Sequence, residues 1–271
     1  MTSLVLSQLS VYPVKSLGGV TVDRVEVERQ GLAGDRRWMV VDAGGDTVTA
    51  REVPRMLGVR VSLEADGLVL AADGLDALRV PEPRGLPTTR VSMNRVGSAT
   101  PAGAPADAWL TEAIGRDVRL VWLDDPGRRS VSPDHGGAPG DTLSLADAGP
   151  VHLTTTASLA QLNTWLADEQ DHPPLPMERF RPTVVVDGDL EPFVEDTWAG
   201  VRIGDVELRF GERCDRCVMT TVDLDVLRTT KEPTRTLARH RREDGKVWFG
   251  IRLIPVTTGS IAVGDEVVAL G

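Results

Sequence analysis

The chain has 271 residues, with a hydrophobic fraction of 41% and a charged fraction of 26%, values that are ordinary for a globular protein and exclude a disordered or collagen-like chain. The 40 Asp and Glu residues outnumber the 30 Lys and Arg residues, and the formal charge of -10 argues against nucleic acid or an anionic membrane as a partner. Because apolar runs are far shorter than the roughly 20 residues of a membrane helix, and residues 1–4 open no signal peptide, we expect a cytoplasmic protein without a membrane segment.

Short strand patterns dominate the chain. Residues 20–27, 59–63 and 118–123 alternate apolar and polar side chains, as half-buried strands do. Further predicted strands cover residues 4–12, 38–41, 184–186, 201–210, 246–254 and 261–270. Many short strands joined by turns rich in Gly or Asp indicate a mainly β fold of the barrel or sandwich kind.

Three helices are predicted, at residues 108–114, 158–168 and 234–242. The second of them has Thr156 or Ser158 as its N-cap, because hydroxyl side chains bind the free amide groups of a first helical turn. Three helices are too few for an alternating βαβ architecture, so the helices are expected at the periphery of an α+β fold.

A long irregular segment divides the chain. Residues 124–141 are rich in Gly, Pro, Ser and Asp, which is typical of a loop or a domain boundary. We therefore predict two domains, residues 1–124 and residues 125–271.

Both cysteines of the chain lie in one short segment, Cys214-Asp-Arg-Cys217. A zinc site held by protein alone is disfavoured, because there is no second cysteine pair and the four histidines lack finger-like spacing. A thioredoxin-type pair normally opens a helix after a strand, whereas this pair lies between two strand-like segments. Two interpretations stay open. The cysteines are small buried apolar residues, or one of them is a thiolate ligand to a soft metal carried by a cofactor, with Arg216 favouring deprotonation of Cys217.

A cofactor with a phosphate would also need cationic groups around it. Lys15 and Ser16 follow the first predicted strand, Arg36 precedes another, and Arg181 precedes the strand at residues 184–186. Lys and Arg next to hydroxyls in turns supply the fixed charge and the donors that a phosphate needs. Each motif alone is equally consistent with a solvated surface charge, so only their convergence in one cavity would be informative.

Ten segments match those of a known family in the same order along the chain. They are Tyr12-Pro-Val-Lys-Ser16, Asp35-Arg-Arg-Trp38, Thr49-Ala-Arg51, residues 154–162, Arg179-Phe-Arg-Pro182, Glu195-Asp-Thr-Trp198, Ile203-Gly-Asp205, residues 214–223, Phe249-Gly250 and residues 259–265. With them the chain resembles the MOSC proteins, relatives of the C-terminal domain of molybdenum cofactor sulfurase. Within these it is most similar to the two-part group that includes the mitochondrial amidoxime-reducing component. The resemblance implies a MOSC-type β-barrel core with a few peripheral helices at residues 125–271 and a smaller MOSC N-terminal β-barrel domain at residues 1–124.

The resemblance also implies a molybdenum cofactor, that is, molybdenum bound by molybdopterin. Cys217 matches the cysteine that binds molybdenum in the family and would be the catalytic residue, while Cys214 would be structural. The cofactor contacts of the family map onto Lys15, Ser16, Arg36, Arg181, Thr183, Asp215 and Arg216. Two of these depart from the family pattern. Relatives often carry Asn in place of Thr183, and they carry varied small polar residues in place of Asp215, whose carboxylate would repel a phosphate.

The activity implied by the resemblance is that of a molybdenum-dependent oxidoreductase. It would reduce small N-hydroxylated substrates by transfer of the oxygen atom to molybdenum. Electrons would come from a separate donor protein of the ferredoxin or flavoprotein type. An iron–sulfur cluster is not expected in this chain, because such a cluster needs four cysteines of its own.

Two other functions were compared with this one. The kinship with the sulfurase suggests a sulfur carrier or a cofactor-handling protein that uses a persulfide on Cys217. A pyridoxal phosphate enzyme with Lys15 as the Schiff base is a more distant alternative. Metal content would separate the first alternative from a reductase, and a visible absorbance spectrum would reveal the second.

Overall fold

The computed structural model describes residues 4–271, so the first three residues, on which the prediction of no signal peptide depends, lie outside it. Over this range the chain forms 21 strands and three helices, and none of these helices is both long and apolar enough to cross a membrane. The helices are α1 (Ala104–Ile114), α2 (Thr156–Gln170) and α3 (Thr234–His240). The strands are β1 (Leu4–Val11), β2 (Val20–Val22), β3 (Arg24–Glu28), β4 (Gly31–Leu32), β5 (Trp38–Val41), β6 (Arg60–Glu64), β7 (Gly67–Ala72), β8 (Leu75–Pro81), β9 (Thr89–Arg90), β10 (Ser98–Pro101), β11 (Arg119–Trp122), β12 (Val151–Thr155), β13 (Val184–Asp187), β14 (Gly200–Ile203), β15 (Val206–Asp215), β16 (Val222–Asp223), β17 (Arg228–Thr229), β18 (Arg242–Glu243), β19 (Lys246–Pro255), β20 (Gly259–Ala262) and β21 (Glu266–Leu270).

Seven of the strands close into a barrel. Their order is β12-β13-β1-β21-β14-β15-β19, and β19 pairs back with β12. The pair β12–β13 is parallel and the other pairs in the ring are antiparallel. Closure removes the exposed sheet edges on which strands of other chains could pair. The predicted mainly β fold with a barrel core and few helices is confirmed.

The side chains of the barrel strands follow the expected alternation. In the hairpin β14–β15, Val201 and Ile203 point into the core while Arg202 between them is exposed. Strand β13 is buried on both faces, because α2 covers its outer side. The single strand predicted at residues 201–210 is two strands, since Gly204 with a φ of +54° forms a tight turn between them.

The N-terminal segment belongs to the barrel as well. Strand β1 lies between β13 and β21, and β3 pairs with β20. A second apolar core is built from the β5–β11 sheet, the β6–β7–β8 meander and α1, with Trp38, Leu68, Leu110 and Trp122 among its members. The division at residue 124 stays a prediction, and the pairing shows that the two ends of the chain are interleaved in one barrel.

Each predicted helix exists with shifted ends. Helix α1 begins at Ala104 rather than at residue 108. Pro105 lies in its first turn, where the backbone amide has no partner within the helix, so a proline without an N–H group costs no hydrogen bond. The N-cap of α2 is Thr155, whose hydroxyl accepts a hydrogen bond from the Ser158 amide at 3.1 Å. Helix α3 ends at His240, two residues earlier than predicted.

A buried carboxyl group ties the start of α2 to the neighbouring segment. Glu195 accepts hydrogen bonds from the Ser158 hydroxyl at 2.7 and 3.0 Å and from the Thr155 hydroxyl at 3.3 Å. Ser158 in turn accepts the amide of Phe193 at 2.8 Å. Burial raises the pKa of Glu195 to about 6, although the hydroxyl groups act in the opposite direction.

This raised pKa predicts a pH dependence of stability. Between pH 4.5 and 6 the folded protein binds more protons at Glu195 than the unfolded chain does, so stability falls as the pH rises through this window, by about 2 kcal/mol. The side chain introduced by Glu195→Gln is neutral at every pH, so this variant should not lose stability between pH 4.5 and 6. Urea unfolding at pH 4.5 and pH 7 measures the loss, with the exposed Glu191→Gln as control. Equal pH dependence of parent and Glu195→Gln would refute the prediction.

Candidate functional site

A cavity of about 290 Å³ lies beside the ends of β1 and β15 and the starts of β12 and β13. Seven of the eight predicted site residues line it, and these are Lys15, Ser16, Arg36, Arg181, Asp215, Arg216 and Cys217. They come from four separate parts of the sequence. The convergence that the sequence could not establish is therefore present in the fold.

Three of these residues adopt a left-handed backbone conformation that side chains other than glycine rarely take. The φ angles are +68° at Ser16, +47° at Arg36 and +54° at Arg181. Such a conformation costs energy and persists where the surrounding structure enforces it, which is common at functional sites. The backbone of these turns thus directs the three side chains at a cost in local stability.

Arg36 and Arg181 both lie against the ring of Tyr12, the only tyrosine of the chain. Their guanidinium carbons are 4.4 and 4.1 Å from the ring centroid. The carboxylate of Asp35 receives two hydrogen bonds from Arg36, at 2.8 and 2.7 Å, and one from the Tyr12 amide at 2.8 Å. Arg181 donates to the Leu17 carbonyl at 2.7 Å. Stacking and hydrogen bonding therefore hold both cations in place.

Lys15 already has a carboxylate partner in the cavity wall. Its ammonium group donates to Asp147 and, at 3.1 Å, to the Leu145 carbonyl, and Arg51 donates to Asp147 at 2.8 Å. Burial lowers the pKa of Lys15, against the opposing effect of Asp147. Burial would raise the pKa of Asp147, but Lys15 and Arg51 outweigh it and hold the pKa below its usual range.

The two cysteines have different surroundings. Cys217 is half-buried and faces the cavity between β15 and the 3-10 turn Val218–Thr221, whereas Cys214 is 4% exposed. Arg216 was expected to act on Cys217, but its Nη1 donates to the Sγ of Cys214 at 2.8 Å. The cation that lies close to the sulfur of Cys217 is Arg51. Burial lowers the pKa of Arg51, and Asp147 together with the sulfur of Cys217 more than offsets this.

Thr183 is the predicted site residue that the structure does not bring to the cavity. It is fully buried, its hydroxyl accepts the His152 amide at 2.9 Å, and the same hydroxyl donates to the His152 carbonyl at 3.1 Å. Both hydrogen-bonding capacities are thereby used within the protein. Thr183 fixes β12 against β13, and it is His152, on the cavity side, that lines the wall.

The cavity is strongly cationic although the chain is acidic. Eight Lys and Arg residues line it against two carboxylates, Asp147 and Asp215. Three further carboxylates pair with these cations from behind the wall: Asp35 with Arg36, Glu212 with Arg252, and Asp223 with Arg179. Within residues 4–271 this leaves Arg181, Arg216 and Lys246 without a carboxylate partner. Such a surplus fits an anionic ligand.

The donor set also fits a metal that arrives with a cofactor. Among the described residues, no group of three or more His, Cys, Asp or Glu side chains is arranged to hold a metal. Cys217 offers one thiolate, the ligand type that soft metals prefer. The Nε of Arg216 is buried and lacks a partner within residues 4–271, so a donor remains for a ligand. One sulfur ligand beside an anion-binding wall suits a metal whose other ligands belong to an anionic cofactor.

Sequence reasoning missed several residues of this wall. Arg51 lay in a segment that was singled out, Thr49-Ala-Arg51, but it received no role. Asp147 and His152 belong to no motif, and their proximity to the other residues follows only from closure of the barrel. Tyr12 also lay in a matching segment, Tyr12-Pro-Val-Lys-Ser16, and it received no role either.

Comparison with known protein families identifies the class of this chain. A family model described as "MOSC domain" matches residues 140–268, and one described as "MOSC N-terminal beta barrel domain" matches residues 3–117. The chain therefore belongs to the MOSC family, as its sequence segments predicted.

The similar proteins include several amidoxime-reducing components. "Mitochondrial amidoxime reducing component 2" of Rattus norvegicus is 35% identical over 289 residues, with 97% of this chain and 82% of the relative covered. "Mitochondrial amidoxime-reducing component 1" of Homo sapiens is 33% identical over 287 residues, with 98% and 83% covered. Among solved structures, the YUAD protein from Bacillus subtilis has a TM-score of 0.45 at 13% identity, with 98% and 94% covered. The similarity to the two amidoxime-reducing components extends over nearly the whole chain.

Proposed function

We propose that the protein is a molybdenum cofactor-dependent oxidoreductase that reduces small N-hydroxylated compounds. The observation that carries the proposal is that Cys217 opens onto the same cavity as Lys15, Arg36 and Arg181. A thiolate and an anion-binding wall meet there, as a metal-bearing cofactor with a phosphate requires. The names of the similar proteins, which are amidoxime-reducing components, support the substrate class.

The residues of the cavity divide the work of binding. Cys217 would supply the protein ligand to molybdenum, and the guanidinium of Arg51 lies in the same wall of the cavity. Arg181 and Arg36, fixed on the ring of Tyr12, would bind the phosphate. Ser16 adds a hydroxyl at a strained turn. When bound, the cofactor supplies the two-electron chemistry that removes oxygen from an N–O bond, and the protein supplies binding, orientation and charge.

Asp215 is the least suited of the predicted contacts for a phosphate. Its carboxylate accepts a hydrogen bond from Arg252 at 2.7 Å, and burial, which would raise its pKa, is outweighed by Arg252, so the group stays charged. We propose that Asp215 orients Arg252 and that the phosphate lies on the side of Arg36 and Arg181. Electrons would come from a separate ferredoxin-type or flavoprotein-type donor, because both cysteines of the chain belong to this site.

Metal analysis of purified protein tests the proposal. The parent should contain about one molybdenum per chain and reduce an aromatic amidoxime with a chemical reductant. Cys217→Ser should lose this activity while its melting temperature stays close to that of the parent, because the side chains are similar in size and Cys217 is not part of an apolar core. The neighbouring, exposed Val218→Ala serves as the control.

Two outcomes would count against the reductase. Retained activity in Cys217→Ser would show that this sulfur is not the ligand. Protein that lacks stoichiometric molybdenum, is inactive, and carries labile sulfur on Cys217 would favour the sulfur-carrier function instead.

The cytoplasmic location expected from the sequence stays a prediction.

A further inference from the structure

We propose that Cys214 is a positioning residue whose thiolate is the counter-ion of Arg216 and holds that guanidinium at the cavity wall for an anionic ligand. The inference rests on the anionic ligand that the proposed function requires, but it does not depend on which metal the cofactor carries. It also assigns Cys214 a role other than that of a small, buried apolar residue.

The contacts of Arg216 carry the argument. Its Nη1 donates to the Cys214 Sγ at 2.8 Å, and its Nη2 donates to the Phe180 carbonyl at 2.8 Å. Arg216 has no carboxylate in hydrogen-bond or ion-pair contact within residues 4–271. The sulfur of Cys214 is therefore the group positioned to compensate its charge.

The sulfur of Cys214 is almost completely shielded from solvent. Cys214 is 4% exposed at the end of β15, next to β19. A neutral thiol would be a weak acceptor for a guanidinium, whereas a thiolate makes a charge-assisted hydrogen bond. Burial acts to raise the pKa of Cys214, but Arg216, His152 and Arg252 outweigh it and lower the pKa to about 5. At neutral pH the side chain is thus an anion surrounded by three basic groups.

The fold makes space for the third member of this group. The Nε2 of His152 lies 3.4 Å from Arg216 Nη1, and Gly250 is directly behind the ring. A Cβ on Gly250 would lie only 2.7 Å from that Nε2. The absence of a side chain at residue 250 therefore allows His152 to reach Arg216.

The arrangement leaves one donor of Arg216 for a ligand. With Nη1 on the thiolate and Nη2 on a carbonyl, the Nε is buried and lacks a partner among the described residues. A buried donor without a partner costs free energy, which a ligand oxygen that reached it from the cavity would recover. Loss of the thiolate would release the guanidinium and misplace this donor.

The ionisation of Cys214 can be measured directly, because the full chain with Cys217→Ser contains a single cysteine. Its thiolate absorbance in the ultraviolet should already be present at pH 7 and disappear at about pH 5. Arg216→Met in the same background should shift this transition to higher pH. Thiolate absorbance that first appears near the pKa of about 8.5 of a free cysteine would overturn the proposal.

The positioning role is tested by titration of the same single-cysteine protein, in cofactor-free form, with inorganic phosphate. Replacing Cys214 with Ser keeps the size and removes the charge, and should weaken phosphate binding by roughly tenfold, the effect of one charged hydrogen bond. Cys214→Asp restores an anion and should recover most of the affinity. A purely structural cysteine would tolerate Ser better than Asp, which is the opposite order.

Each result decides the question without molybdenum. Parent-like phosphate binding in Cys214→Ser, or equally weak binding in the Ser and Asp variants, would refute the role of the charge. If the variants fail to fold, the absorbance titration of the Cys217→Ser protein still tests whether Cys214 is an anion at neutral pH, and the absence of that anion would refute the proposal. Neither experiment measures reductase activity, so failure here would leave the metal analysis of the parent protein unaffected.

Discussion

Replacing Arg181 with Met should weaken the binding of phosphate to the cavity by roughly 100-fold, which corresponds to about 2.7 kcal/mol. Arg181 is 9% exposed and lines the cavity. It lacks a carboxylate partner within residues 4–271, so its charge is not already neutralised, in contrast to those of Lys15 and Arg36. A planar guanidinium binds two oxygens of one phosphate, and Met offers neither charge nor donor.

The same substitution should leave the stability of the ligand-free protein nearly unchanged. Burial, together with Arg36, lowers the pKa of Arg181 to about 10, in spite of the opposing influence of Tyr12. The folded state therefore holds this charge at a cost. Removing it relieves that cost and offsets the lost hydrogen bond to the Leu17 carbonyl, so we expect a net change within about 1 kcal/mol.

Thermal unfolding of cofactor-free parent and variant, with and without phosphate, measures both effects, because a bound cofactor would occupy the cavity. Phosphate should raise the melting temperature of the parent and have little effect on Arg181→Met, because a ligand stabilises only the form that binds it. Arg60→Met, at an exposed residue paired with Asp73, is the matched control and should respond like the parent. An undiminished phosphate response in Arg181→Met would show that the anion binds elsewhere.

The sequence was a good guide to the strands and a poor guide to how they meet. The sequence predicted one strand over residues 201–210, and the turn at Gly204 divides it into β14 and β15. Closure of the barrel joins β1 to β13 and β21, across more than half of the chain. Such pairing depends on long-range packing, which a local periodicity of two does not encode.

Prediction of the site succeeded where a residue belonged to a motif and failed where only the fold created the contact. Lys15, Arg181 and Cys217 came from segments that resemble those of a family. Asp147 had no such segment, yet it pairs with Lys15 across 132 positions of sequence. Arg216 was assigned to the wrong cysteine, because adjacency in sequence suggested Cys217, while the turn after β15 directs the guanidinium back to Cys214.

Gly250 links the packing of the barrel to the cavity, and Gly250→Ala should destabilise the protein by about 3 kcal/mol or more. Two costs add. The residue has a φ of +76°, which an alanine rarely adopts. Its new Cβ would also lie 2.6 Å from the Leu153 carbonyl oxygen and 2.7 Å from His152 Nε2. The carbonyl belongs to β12, which is paired with β19 in the closed barrel, so it cannot move away easily.

Gly245 provides a matched control for this prediction, because it has the same φ of +76° and nothing within 4 Å of its ideal Cβ. Gly245→Ala should therefore show the backbone cost alone, about 1 kcal/mol. Urea unfolding of both variants isolates the steric cost at Gly250 as their difference. The displaced His152 should also raise the pKa of Cys214 in the single-cysteine protein with Gly250→Ala, and Gly245→Ala should leave that pKa unchanged. Equal losses of stability in the two variants would mean that β12 yields to the new methyl group.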